Sequence, residues 1–182
     1  MSAAWLVVVD PQRIFAAPGS AWGSPMWADV VAPIRALAAA FGERVIVTRW
    51  VAPRERTGSW AAYMEAWPFA DHPADHPLFD VVDELADLPG HRVTATTFGK
   101  WEVIAPITGP APHLVLTGVS TDCCVISTAL PAADAGATLS VVTDACAGST
   151  AENHAAALHV LSLYPPQITL RSTVEILGER RE

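Results

Sequence analysis

The protein has 182 residues, and 51% of them are hydrophobic, which suits one compact domain with a sizeable core. No apolar run reaches the ~18–20 residues of a membrane span, so we expect no membrane partner. The formal net charge of -8 at pH 7 argues against nucleic acid as a partner, because nucleic-acid binding uses a basic face.

The sequence pattern of the first half of the chain predicts three strands, one long and one short helix, and an irregular stretch. A short apolar run at residues 5–9 is rich in β-branched side chains and typical of a strand buried on both faces. Apolar side chains at helical spacing follow at residues 28–41. The other predicted elements are a strand at 44–48, a proline-rich surface excursion at 51–78, a short helix at 81–88 and a weaker strand at 92–95.

The second half of the chain alternates helices and strands more regularly. Ser149 and Glu152 have the spacing of a capping box, which predicts a helix that runs from there towards residue 164. The charged tail beyond about residue 178 is expected to fray. The other predicted elements are helices at 102–107 and 123–135 and strands at 113–119, 139–143 and 167–170.

This alternation predicts an α/β fold, with a single doubly wound domain over residues 1–182. Ligands of such folds bind beyond the carboxyl ends of the strands. Three places are therefore of interest: Asp10 after the first strand, Lys100 beyond the third, and residues 119–124 after the fourth.

The cysteines argue against a disulfide framework. They are Cys123, Cys124 and Cys146, an odd number with two of them adjacent, and no C-x-x-C pair indicates a zinc site. Free thiols are typical of a reducing compartment, and the N-terminus lacks the pattern of a secretory signal, so we expect a cytoplasmic protein.

Three residue types at these strand ends predict a nucleophilic site. A thiol reacts as the thiolate, and its pKa falls at a helix N-terminus and beside a positive group. Cys124 would lie in the first turn of the helix predicted at 123–135, and Lys100 is the only lysine of the chain. Asp10 would supply a carboxylate that accepts and returns a proton. The alternative for Cys124 is that it is a small buried hydrophobic side chain.

Two segments carry a family resemblance. Asp10-Pro11-Gln12 follows the first strand, and the stretch from Gly118 to Ala129 reads G-x-x-T-x-x-C-V-x-x-T-A. Both resemble the isochorismatase-like cysteine hydrolase superfamily, in particular its metal-independent amidase branch, which includes N-carbamoylsarcosine amidase. The resemblance implies a six-stranded parallel sheet flanked by helices in three layers. It also implies a catalytic triad of Asp10, Lys100 and Cys124.

The same resemblance implies a cis peptide bond between Val119 and Ser120, at a residue that is not proline. The backbone N–H groups of Ser120 and Cys124 would then converge on one point and form an oxyanion hole. Gln12 is expected to support its loop rather than to react.

The function implied is cysteine-dependent hydrolysis of a small amide or carbamoyl carbon–nitrogen bond through a thioester. An alternative is the vinyl ether hydrolysis of isochorismatases proper, although those that act without covalent catalysis lack the cysteine. A further alternative is a non-enzymatic redox or binding protein that uses Cys123 and Cys124, but adjacent cysteines bridge poorly.

We expect no catalytic metal and no other cofactor. Nicotinamidases, the metal-binding branch of the family, carry an Asp-x-His element after the second strand, and here that place reads Thr48-Arg49-Trp50. The segment 71–76 contains two aspartates and two histidines, but its two prolines favour a solvated loop over a metal site.

The partners expected are a small-molecule substrate and further copies of the chain, since the resemblance implies a homodimer or homotetramer. Aromatic side chains in loops near the predicted site would suit a flat or apolar substrate group, and the candidates for substrate binding are Phe15, Trp22, Trp60, Phe98 and Trp101.

The triad cation has two candidates. In much of the family the lysine precedes a phenylalanine-containing segment by several residues, which points to Arg92 if Phe98 is that phenylalanine. Lys100 is favoured because an ammonium is a compact charge, whereas a guanidinium is planar and bulkier. Arg92 would also lie at the start of its strand, away from the carboxyl ends.

Overall fold

The computed structural model of the protein describes residues 4–17 and 19–180. Its strands are β1 (Trp5–Val9), β2 (Val45–Trp50), β3 (His91–Ala95), β4 (His113–Val119), β5 (Thr138–Ala147) and β6 (Ile168–Arg171). They form one six-stranded sheet in the spatial order β3-β2-β1-β4-β5-β6, with parallel neighbours throughout. The predicted α/β fold, a single domain with a parallel sheet, is confirmed.

Helices cover the sheet. They are α1 (Arg13–Ala16), α2 (Trp27–Phe41), α3 (Ser59–Ala66), α4 (Trp101–Thr108), α5 (Ile126–Asp134), α6 (Ala151–Leu161) and α7 (Thr173–Glu179). Short 3-10 turns occur at Pro68–Ala70, Pro77–Phe79 and Asp83–Leu85. None of the helices within 4–17 and 19–180 combines the length and the apolar character that crossing a membrane requires.

The sheet is buried on both faces, as strand β1 illustrates. Leu6 and Val8 belong to a core that also contains Ile34 of α2. Val7 and Val9 belong to a second core that contains Ile104 of α4. Because alternate side chains of a strand point to opposite faces, a central strand covered on both sides needs a continuous apolar run.

The region between β2 and β3 differs from the prediction. Residues 51–78 are not wholly irregular, because α3 forms within them and anchors Met64 in the core. The helix predicted at 81–88 is only the 3-10 turn Asp83–Leu85. Leu85 and Leu88 are both buried, and a spacing of three residues suits a 3-10 turn as well as a helix.

Two predictions for the last third of the chain were wrong. Thr150, rather than Ser149, caps α6 by accepting from the Asn153 N–H at 3.0 Å, because the Ser149 hydroxyl donates to Asp122 instead. The segment from 178 is also not frayed up to Arg180. Helix α7 begins with a capping box, and the Arg180 guanidinium donates to the carbonyl of Ala40 at 2.9 Å. Residues 181–182 lie outside the described residues.

The strand order changes direction between β1 and β4, which are neighbours in the sheet although they are far apart in sequence. In open α/β sheets, ligands bind at such a switch point, outside the carboxyl ends of the strands. The carboxyl end of β1 leads into Asp10, and that of β4 leads into Ser120. The fold therefore brings these two predicted segments to one edge of the sheet.

Gly118 allows β1 and β4 to approach each other at this point. Its φ is +103°, and a Cβ atom there would lie 2.2 Å from the carbonyl oxygen of Val9. Gly136 has a similar φ of +95°, but a Cβ atom there would meet nothing within 4 Å.

We predict that Gly118→Ala destabilises the protein by about 2 kcal/mol more than Gly136→Ala. Both substitutions place alanine at a positive φ, at a cost of roughly 1–2 kcal/mol each, but Gly118→Ala adds a collision with the neighbouring strand. Urea unfolding of the two variants measures the difference. Equal losses would show that the close approach of β1 and β4 is easily relaxed.

Candidate active site

Asp10 lies directly after β1 and is completely buried. Its φ of +43° turns the chain sharply at the end of the strand. Thr48 of β2 holds it twice: the Thr48 hydroxyl donates to Asp10 Oδ1 at 2.6 Å and accepts from the Asp10 N–H at 3.0 Å. The carboxylate is thus fixed by the neighbouring strand.

Lys100 supplies the positive charge next to Asp10. Its Nζ lies 2.9 Å from Asp10 Oδ2, and both side chains are 0% exposed. The ammonium also donates to the carbonyls of Thr97 and Phe98, both at 2.7 Å. Lys100 precedes the first turn of α4, so the loop before this helix wraps the charged group in backbone carbonyls.

The two oxygens of Asp10 have different partners. Oδ2 has the ion-pair contact with Lys100, but the described residues give it no directed hydrogen bond. Oδ1 is already used by Thr48.

Arg92, the alternative cation, lies in β3 away from this edge of the sheet. Its guanidinium donates to the carbonyls of Leu88 at 2.6 Å and Ala86 at 3.3 Å. Partial burial lowers the pKa of Arg92. The cation beside Asp10 is therefore Lys100.

The segment before Cys124 has the unusual backbone that the family resemblance implies. The Val119–Ser120 peptide bond is cis, as predicted. Residues Thr121–Val125 form a π-helical turn, in which the Ser120 carbonyl accepts from the N–H groups of Cys123 and Val125, at 3.0 and 3.1 Å. In a regular α-helix that carbonyl would accept from Cys124. The wider turn instead directs the carbonyl to the residues on either side of Cys124.

Cys124 is 2% exposed, whereas Cys123 is half-buried. Contact with the Cys123 thiol raises the pKa of Cys124, as do burial and the Asp10 carboxylate, while Lys100 opposes them. The same contact lowers the pKa of Cys123. The direction for Cys124 is opposite to the one expected at a helix N-terminus, so this thiol is protonated at rest.

Thr128 of α5 connects the cysteine to the lysine. Its hydroxyl donates to the carbonyl of Cys124 at 2.7 Å and accepts from the backbone N–H of Lys100 at 3.0 Å. The sequence pattern contains this threonine, but its position gave no indication that it joins two segments of the site.

Gln12 supports the loop, as expected. Its side chain accepts from the backbone N–H of Trp50 at 2.7 Å and donates to the carbonyls of Trp50 and Phe79, both at 2.8 Å. Trp50 is thereby fixed at the carboxyl end of β2.

A cavity of about 180 Å³ opens above Cys124. Its lining is mostly aromatic or uncharged, with one acidic side chain: Phe15, Ala21, Trp22, Gly23, Trp50, Tyr63, Phe98, Ser120, Asp122, Cys123, Cys124 and Ser149.

Three of the five aromatic candidates line this cavity, namely Phe15, Trp22 and Phe98. Trp60 lies behind the wall and packs on Phe98, with a ring-centroid distance of 5.1 Å. Trp101 packs against the core on the α4 side of the sheet instead. These two tryptophans are thus not part of the cavity lining, and their substrate-binding role stays a prediction.

Four polar or aromatic residues of the lining were not predicted. Trp50 and Tyr63 carried no signal beyond being aromatic. Asp122 and Ser149 are joined by two hydrogen bonds, from the Ser149 N–H at 2.8 Å and from its hydroxyl at 2.7 Å. The sequence pattern assigns Ser149 to a helix cap, and only the fold brings it next to Asp122.

The sequence model of the Isochorismatase domain family matches residues 4–172, which is most of the chain. The protein belongs to the isochorismatase family of hydrolases. No curated protein sequence matches this chain significantly.

Solved structures share the isochorismatase fold. A cysteine hydrolase from Pseudomonas syringae is 18% identical, with a TM-score of 0.80 over 98% of this chain and 92% of that one. An isochorismatase-like hydrolase from Alkaliphilus metalliredigens is 15% identical, with a TM-score of 0.77 over 98% and 99%. A nicotinamidase from Bacillus subtilis is 19% identical, with a TM-score of 0.71 over 91% and 98%. At these identities the likeness concerns the fold.

The histidine-containing segment 71–76 lies outside the lining of the cavity. Asp71 accepts a hydrogen bond from Arg56, and the rings of His72 and His76 stack with centroids 3.7 Å apart. This isochorismatase-family chain thus uses these side chains in contacts within its surface loop.

We predict that Lys100→Met lowers the free energy of unfolding by roughly 3–5 kcal/mol, because it leaves the buried Asp10 carboxylate without its cation. The double variant Asp10→Asn/Lys100→Met should recover much of that loss, since it buries no unpaired charge. Chemical denaturation of the two single variants and the double variant measures this coupling. Additive losses would show that the two charges do not stabilise each other.

Proposed function

We propose that the protein hydrolyses the carbon–nitrogen bond of a small amide or carbamoyl substrate through a thioester on Cys124. Asp10 is the general base and then the general acid, and Lys100 is the cation that holds its charge. The observation that carries this proposal is a buried carboxylate, ion-paired to lysine, at the same sheet edge as a cavity-lining thiol.

The protonation states support proton transfer at the moment of attack. Cys124 rests as the thiol, because its contact with Cys123, burial and the Asp10 carboxylate all raise its pKa. Asp10 Oδ2 can receive the thiol proton, and the adjacent ammonium lowers the cost of the thiolate that forms.

An oxyanion hole is supported by the backbone around the cysteine. The π-turn engages the N–H groups of Cys123 and Val125 with the Ser120 carbonyl. We assign the N–H groups of Ser120 and Cys124 as donors to the substrate oxygen, because both residues line the cavity.

The proposed reaction has two halves. In the first, the Cys124 sulfur bonds to the substrate carbonyl carbon, its proton moves to Asp10, and the carbon–nitrogen bond breaks as Asp10 returns the proton to the departing nitrogen. In the second, water adds to the thioester, with Asp10 accepting one proton of the water. The carbon–sulfur bond then breaks as Asp10 returns that proton to the Cys124 sulfur, which restores the thiol and releases the acid product.

Hydrolysis of a vinyl ether is the other reaction class suggested by the family name. A reaction without a covalent intermediate would not need a thiol beneath the cavity, and the cavity-lining Cys124 favours amide chemistry. Assays of ammonia release over a panel of small primary amides and carbamoyl compounds test the proposal. The absence of turnover across that panel, with cleavage of a vinyl ether instead, would contradict it.

Cys124→Ala should abolish turnover of whichever amide the panel identifies, because it removes the sulfur that forms the proposed thioester. Cys123→Ala is the matched control and should keep substantial activity, since it removes the neighbouring thiol but leaves the nucleophile. Both variants should fold, as judged by circular dichroism. Loss of activity in Cys123→Ala with retention in Cys124→Ala would reverse the assignment.

Lys100→Met should reduce kcat/KM by roughly 10²–10⁴-fold and move alkylation of Cys124 to higher pH. The reason is that the Lys100 ammonium lowers the pKa of Cys124, so its removal raises that pKa further. The pH dependence is best followed by mass spectrometry with iodoacetamide in a Cys123→Ala background, where the more exposed thiol is absent. Arg92→Met, remote from the site, is the control. An inactive Arg92→Met beside an active Lys100→Met would overturn the role given to Lys100.

A further inference from the structure

The charge of the active-site cavity is not balanced. Asp122 is the one acidic side chain in the described lining, and no lysine or arginine lines the cavity. The Lys100 ammonium lies behind the wall, where it is paired with Asp10 and bound by two carbonyls. Its charge is therefore already matched by a carboxylate.

Asp122 itself is held in place without a cation. Both of its oxygens accept hydrogen bonds from Ser149, and the salt bridges among the described residues do not include it. The charge of Asp122 acts to raise the pKa of His154. Burial has the larger effect and lowers that pKa, so the imidazole is neutral at pH 7. The carboxylate thus leaves a negative potential at the cavity.

The rest of the wall adds to this preference for positive charge. Five aromatic side chains line the cavity, and the negative faces of aromatic rings attract cations. They pack on one another: Trp22 on Trp50 with centroids at 5.7 Å, and Tyr63 on Phe98 at 5.4 Å. Burial and the two neighbouring cysteines raise the pKa of Tyr63 to about 12, so its ring is the neutral phenol.

We propose that the substrate is a small amide or carbamoyl compound that carries a positively charged group, bound between the aromatic wall and Asp122. This inference rests on the proposed hydrolysis and narrows its substrate class. Anionic amides are disfavoured by the uncompensated carboxylate, and flat neutral amides use only the aromatic surface. The cavity volume of about 180 Å³ limits the substrate to a compact molecule.

Two isosteric probes test the charge alone. Glycine betaine amide and tert-butylacetamide have the same shape and the same primary amide, but the first carries a quaternary nitrogen where the second has carbon. Isothermal titration calorimetry with the 182-residue Cys124→Ala variant measures their binding. The cationic probe should bind roughly 10-fold or more tightly than its neutral isostere, and added salt should reduce the difference.

Asp122→Asn should reduce that preference several-fold, since the amide can still accept from the Ser149 N–H but has no charge. Asp144→Asn is the matched control: Asp144 also accepts from an N–H and a hydroxyl, both of Thr173, but does not line the cavity. It should leave the preference unchanged. Trp22→Leu should also weaken the cationic probe more than the neutral one.

Equal or weaker binding of the cationic probe would overturn the inference, as would the failure of both probes to bind. Tighter binding of benzamide than of glycine betaine amide would also overturn the inference. It would show that the aromatic side chains bind a flat ring by stacking rather than a cation. These results are separable from the proposed function, since binding is measured without turnover. An amide panel that is not hydrolysed by the wild type would contradict the chemistry without changing the ratio of affinities.

Discussion

The buried ion pair between Asp10 and Lys100 is the interaction on which the site depends. Burying two charges costs several kcal/mol for each ion, and the attraction between them offsets this only when their remaining groups are satisfied. Here the ammonium contacts Asp10 and two carbonyls, while the carboxylate is held by Thr48. Because replacing such a pair by apolar side chains is often neutral or stabilising, its presence points to chemistry rather than to stability.

That pair fixes the relative positions of several segments. Thr48 brings the end of β2 to Asp10, and the ammonium orders the loop before α4. Thr128 then connects the backbone of Lys100 to the carbonyl of Cys124, so that the cysteine segment is held in register with the ion pair. The close approach of β1 and β4 at Gly118 makes this arrangement possible, since both strands deliver their carboxyl ends to one place.

The aromatic surroundings of the cavity strengthen the electrostatic effect of two carboxylates, those of Asp10 and Asp122. An aromatic wall provides little dielectric screening, so the carboxylates of Asp10 and Asp122 act over a greater distance than they would in water. For Asp10 this raises the pKa of Cys124, the nucleophile of the proposed reaction. For Asp122 it extends a negative potential into the cavity. The same low polarity thus underlies both the reactivity and the selectivity that we propose.

Local patterns in the sequence determined much of this protein. The apolar run of β1 predicts a strand buried on both faces, and strand ends alone indicate where Asp10 and Cys124 lie, because parallel strands share one carboxyl edge. The family resemblance of the cysteine motif also implies the cis bond at Ser120. Tertiary structure decided what depends on contacts between distant residues. It engaged Ser149 with Asp122 instead of a helix end, joined Lys100 to Cys124 through Thr128, and placed Tyr63 in the cavity wall. A hydrogen bond or ion pair across the fold leaves no periodicity in the chain, so no local pattern could have predicted these.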